Sequence, residues 1–224
     1  LSAAEKGTLE RSLQAARKQP AQVDVAPERS LFAELTSPAV VKFGLAYFCL
    51  VNTLAMVAVW TPLIVKSFSA DASNRTIGLL AAIPQVVTIV AMIWWGRRSD
   101  RKQERRWHLA IPAMIGALGL VVSAAFSDNT VVTLAALTVA TFGIMTTTPL
   151  FWSLPTAFLG GAAAAAGIAM INSLGSMAGF VSPYIMGWIK QLTGSHDLGI
   201  YLIAVSLLIG AGLVLAMPRK VVDR

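Results

Sequence analysis

Gly96-Arg97-Arg98-Ser99-Asp100-Arg101-Lys102-Gln103-Glu104-Arg105-Arg106 stands between two long apolar runs, and six of its eleven residues are basic. The run before it, 76–96, holds no charged residue, and neither does the run after it, 107–126. A helix rises about 1.5 Å per residue, so roughly 20 residues cross a ~30 Å hydrocarbon core. Two such runs joined by an arginine cluster read as two membrane spans whose connection is held on the cytoplasmic side.

Working outward, the same alternation gives four more candidate spans, 40–65, 130–152, 163–189 and 198–217. Backbone groups in lipid must be satisfied within the segment, so each span is expected to be helical. Spanning strands would need ten-residue segments of alternating polarity, which are not present. The fold class is therefore an all-α integral membrane protein, a bundle of six transmembrane helices. Composition agrees. The chain is 56% hydrophobic and 13% charged over 224 residues, where a soluble domain carries about 25% charge.

The 18 Lys and Arg residues set the expected orientation. Fifteen fall in the N-terminal stretch, the 96–106 segment and the tail, and only Lys66, Arg75 and Lys190 fall between spans on the other side. Both termini are thus expected in the cytoplasm, as an even number of spans also requires. A net charge of +7 could mean nucleic acid. Here the basic residues sit in short clusters between apolar runs, so no nucleic-acid partner is expected.

One cysteine, Cys49, excludes an intrachain disulfide, and no zinc-ligand spacing occurs. No cluster of His, Asp, Glu or Cys lies within the spans, so neither metal, cofactor nor enzyme chemistry is expected. Residues 1–37 are polar. Ser2-Ala3-Ala4-Glu5 has a capping-box pattern, with Leu9 and Leu13 one turn apart, and this predicts a short amphipathic helix at the membrane surface. The chain divides into a cytoplasmic segment 1–37, a bundle 38–217 and a cytoplasmic tail 218–224. It begins at Leu1 without a Met, and further sequence is expected upstream. Pro62, Pro84, Pro112, Pro149 and Pro183 fall in five spans, and Gly160–Gly167 and Gly175-Ser176-Met177-Ala178-Gly179 make the fifth unusually poor in bulk, suiting close helix packing.

Gly96, three residues, Asp100 and Arg101 resemble the cytoplasmic loop motif of the major facilitator superfamily. Phe151-Trp152-Ser153-Leu154-Pro155-Thr156, Gly167-Ile168-Ala169-Met170-Ile171-Asn172-Ser173, Gly179-Phe180-Val181-Ser182-Pro183-Tyr184 and Gly187-Trp188-Ile189-Lys190 are similar to the anion:cation symporter family within it. Trp60-Thr61-Pro62, Ile83-Pro84 and Trp107-His108 match as well. The resemblance covers residues 1–217, aligned with the central loop and last six of twelve helices. It implies a secondary transporter of small organic anions such as tartrate or sugar acids, working by alternating access with a coupling proton or sodium in the bacterial inner membrane. An N-terminal six-helix half would complete the fold.

From the first, fourth and fifth spans the resemblance brings Asn52, Thr148, Trp152, Asn172 and Ser176 toward the substrate, and Gln85 of the second span is a further candidate for the cavity lining. Gly96, Asp100, Arg101 and Arg105 would form the gating loop, with Asp100 at the N-terminus of a partner helix. Asn172 and Ser176 are also one turn apart, on one face. No Asp or Glu lies within the spans, so the coupling carboxylate and the arginines that meet the anion are expected in the other half. Many relatives carry tyrosines near Ala55 and at Gln85, a departure that leaves the anion's identity open. Another superfamily carrier or exporter, and a non-transporting membrane scaffold, are the rival readings. His108 is expected to serve as a cap or interface residue.

Overall fold

The computed structural model describes residues 35–68, 73–102, 104–159 and 161–217. It contains six helices, α1 (Pro38–Phe68), α2 (Asn74–Lys102), α3 (Arg106–Ala125), α4 (Thr130–Phe158), α5 (Gly161–Thr193) and α6 (Asp197–Leu215). Each is long and apolar enough to cross a membrane, and no strand occurs among the described residues. The expected amphipathic helix before residue 35 and the tail after 217 lie outside them.

Local chemistry sets several helix ends. Asn129 caps α4, its Oδ1 accepting the Val132 amide at 3.1 Å. Gly194, with φ of 74°, takes the left-handed turn that closes α5. At the arginine cluster the structure departs from a loop of eleven residues. α2 stays helical to Lys102 and α3 begins at Arg106, so Gly96, Asp100 and Arg101 are helical residues. Arginine and lysine are good helix formers, and at a C-terminus they complement the macrodipole. α4 likewise runs six residues past the expected end, through Pro155 to Phe158.

Packing follows the small residues. A Cβ on Gly119 of α3 would lie 2.6 Å from the Ala140 amide nitrogen of α4, and Gly143 meets the backbone of Pro112 and Gly116 just as closely. α3 and α4 therefore pack backbone to backbone, where bulk is excluded. The other main pairings are α1 with α5, α1 with α6, α3 with α6 and α2 with α4, with lighter contact of α1 with α4. Exchanging α1–α3 for α4–α6 maps each of these pairings onto another or onto itself. Three spans per repeat invert the second repeat relative to the first. Thr61-Pro62-Leu63 falls in the C-terminal half of α1, and Thr148-Pro149-Leu150 in that of α4.

Burial is uneven between helices. Within their most apolar windows, 17% of α2 and 22% of α5 are buried, against 44–61% for the other four. These two are themselves equivalent under the exchange. α2 and α5 are the helices whose faces this bundle leaves open.

Candidate functional site

α5 divides into three faces. At 100° per residue, buried Ile171, Gly175, Ala178, Ser182, Met186 and Ile189 share one arc of roughly 80°. Exposed Met177, Phe180, Tyr184 and Trp188 share another, also of roughly 80°. Between them, within a third such arc, run Asn172, Ser176, Gly179, Pro183, Gly187 and Lys190. Asn172 and Ser176 are exposed, and a Cβ at Gly179 or Gly187 would meet nothing within 4 Å. The helix thus packs with one face, offers bulk with a second, and presents a polar, small-residue strip with the third.

Trp152 reaches the edge of this region through a residue that sequence reasoning missed. Tyr47 of α1 stacks on Phe151 at 5.0 Å and 15°, and meets Trp152 edge-on at 4.8 Å and 67°. The same Tyr47 ring lies against Gly175 of α5. Tyr47 therefore bridges Trp152 to the stretch of α5 that carries Asn172 and Ser176. The signal available in the sequence was Gly175 itself, whose missing side chain makes room for a ring.

Asn52 is placed differently. Its Nδ2 donates to Ser206 Oγ of α6 at 3.2 Å, and its backbone carbonyl accepts from Ser182 Oγ of α5 at 2.9 Å. It ties three helices together. Gln85 is half-buried on α2. Thr148 donates to the Ile144 carbonyl at 3.2 Å and Thr147 to that of Gly143, each bonding its own helix. Their neighbour Thr146 is 1% exposed, and its hydroxyl has no hydrogen-bond partner among the described residues.

At the arginine-rich end, Arg105 Nη1 donates to the Ser153 carbonyl of α4 at 3.0 Å. His108 is buried, with Nδ1 3.4 Å from Glu104 Oε2, and its carbonyl accepts from Trp95 Nε1 at 2.8 Å. That is an interface position. Asp100 and Arg101 are exposed on the last turns of α2, and the space a Cβ would fill at Gly96 is open among the described residues. A cleft of about 370 Å³ lies between α2 and α4 here, lined by Gly96, Arg97, Asp100, Thr146, Pro149 and Ser153 among others.

At the opposite end the turn before α6 sits on α1. The His196 ring meets Trp60 at 4.8 Å and 61°. Burial pushes the imidazole below its usual range, nearby Lys190 pushes the same way, and Asp197 opposes them.

Residues 5–183 match the family model for the Major Facilitator Superfamily. The chain is 42% identical over 191 residues to an Agrobacterium vitis protein named "Putative tartrate transporter", covering 85% of this chain and 42% of that protein. It is 37% identical over 181 residues to "Putative metabolite transport protein NicT" of Pseudomonas putida, covering 81% and 41%. It is 34% identical over 193 residues to an Acinetobacter baumannii "Quinolone resistance transporter", covering 86% and 44%. The chain thus spans less than half the length of these relatives, all named as transporters rather than enzymes. With six membrane-length helices in two exchangeable repeats, and a family match over most of its length, the chain belongs to the Major Facilitator Superfamily.

Proposed function

We propose that this chain is the C-terminal half of a secondary transporter that carries small organic anions, hydroxylated carboxylates among them, across the bacterial inner membrane by alternating access. The observation that carries the reading is the third face of α5. Asn172 and Ser176 lie there beside small residues, separated from the bulky aromatic face. An amide in an apolar span demands partners, and its donors and acceptor suit a carboxylate and a hydroxyl. The open faces of α2 and α5 suit a companion six-helix half, with the water-filled cavity between the two.

In this reading both termini face the cytoplasm, as the arginine distribution favours. Asp100 and the turn around it form the inner gate, closing on a helix N-terminus of the companion half. Coupling is to a proton, through a carboxylate of that half, since no acidic residue lies within the apolar core of the spans here. Likeness to a tartrate-named relative supports the anion class.

The test is uptake by full-length protein in proteoliposomes. L-tartrate accumulates when the outside is acidic, and collapse of the pH gradient abolishes accumulation. The Acinetobacter relative favours a second reading, drug export. Proton-driven quinolone extrusion without tartrate uptake would establish that one instead.

A further inference from the structure

The last turns of α2 carry a second hollow, on a different face from the cleft shared with α4. It encloses about 320 Å³ and is lined by Trp94, Arg97, Arg98, Arg101 and Lys102. We propose that this hollow binds the headgroup of an anionic phospholipid, a phosphodiester without an amine, such as phosphatidylglycerol.

Its height along the helix fits a headgroup. From Arg75 to Arg97 the axis rises about 33 Å, and no charged residue lies between them. That is close to the thickness of the hydrocarbon core, so Arg97 and Arg98 stand where lipid phosphates begin. Trp94, 59% exposed, lies one turn deeper, at the level where indoles anchor in the membrane interface. The direction fits as well. At 100° per residue, Trp94, Arg98 and Arg101 share an arc of roughly 60°, centred roughly 130° from Asp100. The gate reading turns Asp100 toward the companion half, which leaves the hollow facing lipid.

The chemistry selects the headgroup. Four cations line the hollow, and no carboxylate is among the lining residues. The Arg98 guanidinium sits over the Trp94 ring, 5.9 Å from its centroid. A guanidinium steadied on an indole in this way keeps its N–H donors for phosphate oxygens. The like charges repel one another, and a bound phosphodiester relieves that repulsion. A zwitterionic headgroup would bring its ammonium among four cations and is disfavoured.

The test titrates purified full-length protein in detergent with dioctanoyl phosphatidylglycerol, counting bound lipid by native mass spectrometry. Phosphatidylglycerol should bind more tightly than dioctanoyl phosphatidylethanolamine by about fivefold. Arg98→Gln combined with Lys102→Gln should weaken phosphatidylglycerol by at least about tenfold. Trp94→Leu keeps all four cations and should weaken it by about threefold, because Arg98 loses its support. Arg75→Gln, at the opposite end of α2, should change nothing. All four residues are exposed, so the folded bundle is kept. Equal affinity for the two lipids would overturn the proposal, as would binding that survives the double substitution or ignores Trp94→Leu. An equal loss in Arg75→Gln would reduce the effect to diffuse charge. Competition by glycerol 3-phosphate at the lipid's own concentration would make the hollow a site for free phosphate esters instead. Full-length protein that binds no phosphatidylglycerol would mean that the companion half covers it, which also overturns the proposal.

Discussion

The indole of Trp152 meets the ring of Tyr47 edge-on, with centroids 4.8 Å apart at 67°, and that same Tyr47 ring rests against Gly175. α4 and α5 scarcely touch directly. One aromatic side chain from α1 therefore joins the two helices that carry Trp152 and Asn172, and the absence of a side chain at residue 175 permits it.

Gly175→Ala should drive a methyl into that ring. Overpacking of this kind destabilises by about 1–3 kcal/mol. Gly179→Ala, four residues on, meets open space and should be neutral, or stabilising by up to ~1 kcal/mol through helix propensity. Thermal unfolding of the two purified full-length variants checks the contrast. Equal behaviour would mean that Tyr47 does not pack on Gly175.

The Asn52–Ser206 bond should behave as structure rather than as a substrate contact. Asn52→Ala and Ser206→Ala are each expected to lower stability modestly, with a coupling in the double-mutant cycle of about 0.6 kcal/mol, the membrane average. Stability that does not change, with weakened substrate binding in Asn52→Ala alone, would move Asn52 into the binding site.

Asp100→Asn removes a charge while keeping the shape. If Asp100 closes the inner gate on a helix N-terminus, it favours the closed state by up to ~2 kcal/mol, and only that differential contact biases the equilibrium. Transport should drop by an order of magnitude or more, with membrane insertion unchanged. Normal uptake at normal expression would exclude the gate role.

His196 makes stability depend on pH. Its folded-state pKa lies below its ordinary value of 6.5, so the unfolded chain binds the proton more readily. Stability is therefore full above the ordinary value, and it falls as pH drops from about 6.5 toward the depressed value. His196→Gln should flatten the melting temperature across that range. A profile unaltered by the substitution would assign the acid sensitivity to another group.

The six helices were legible because spans of this length follow from hydropathy alone. What hydropathy cannot show is where a helix stops once it leaves the lipid. Arg97 to Lys102 therefore read as loop although they are helical, and α4 runs on past Pro155. Within the site, Asn172 and Ser176 stood out as polar residues on an apolar helix, and both are exposed on one strip. Asn52 stood out for the same reason, yet its amide is used between helices, because a polar group in a span satisfies itself on whichever partner packing supplies. Tyr47 and Thr146 depend on tertiary placement. One ring needs a glycine on another helix, and one hydroxyl among three adjacent threonines lacks the bond that the other two make.

The central claim is that the strip of α5 bearing Asn172 faces the transported anion, and substrate titration of full-length Asn172→Ala beside its thermal unfolding tests it most directly. The residue is exposed on this half, so the substitution should leave the melting temperature unchanged while weakening L-tartrate binding by about 1–3 kcal/mol. Unchanged affinity with a lowered melting temperature would contradict the claim and make Asn172 a packing contact with the companion half.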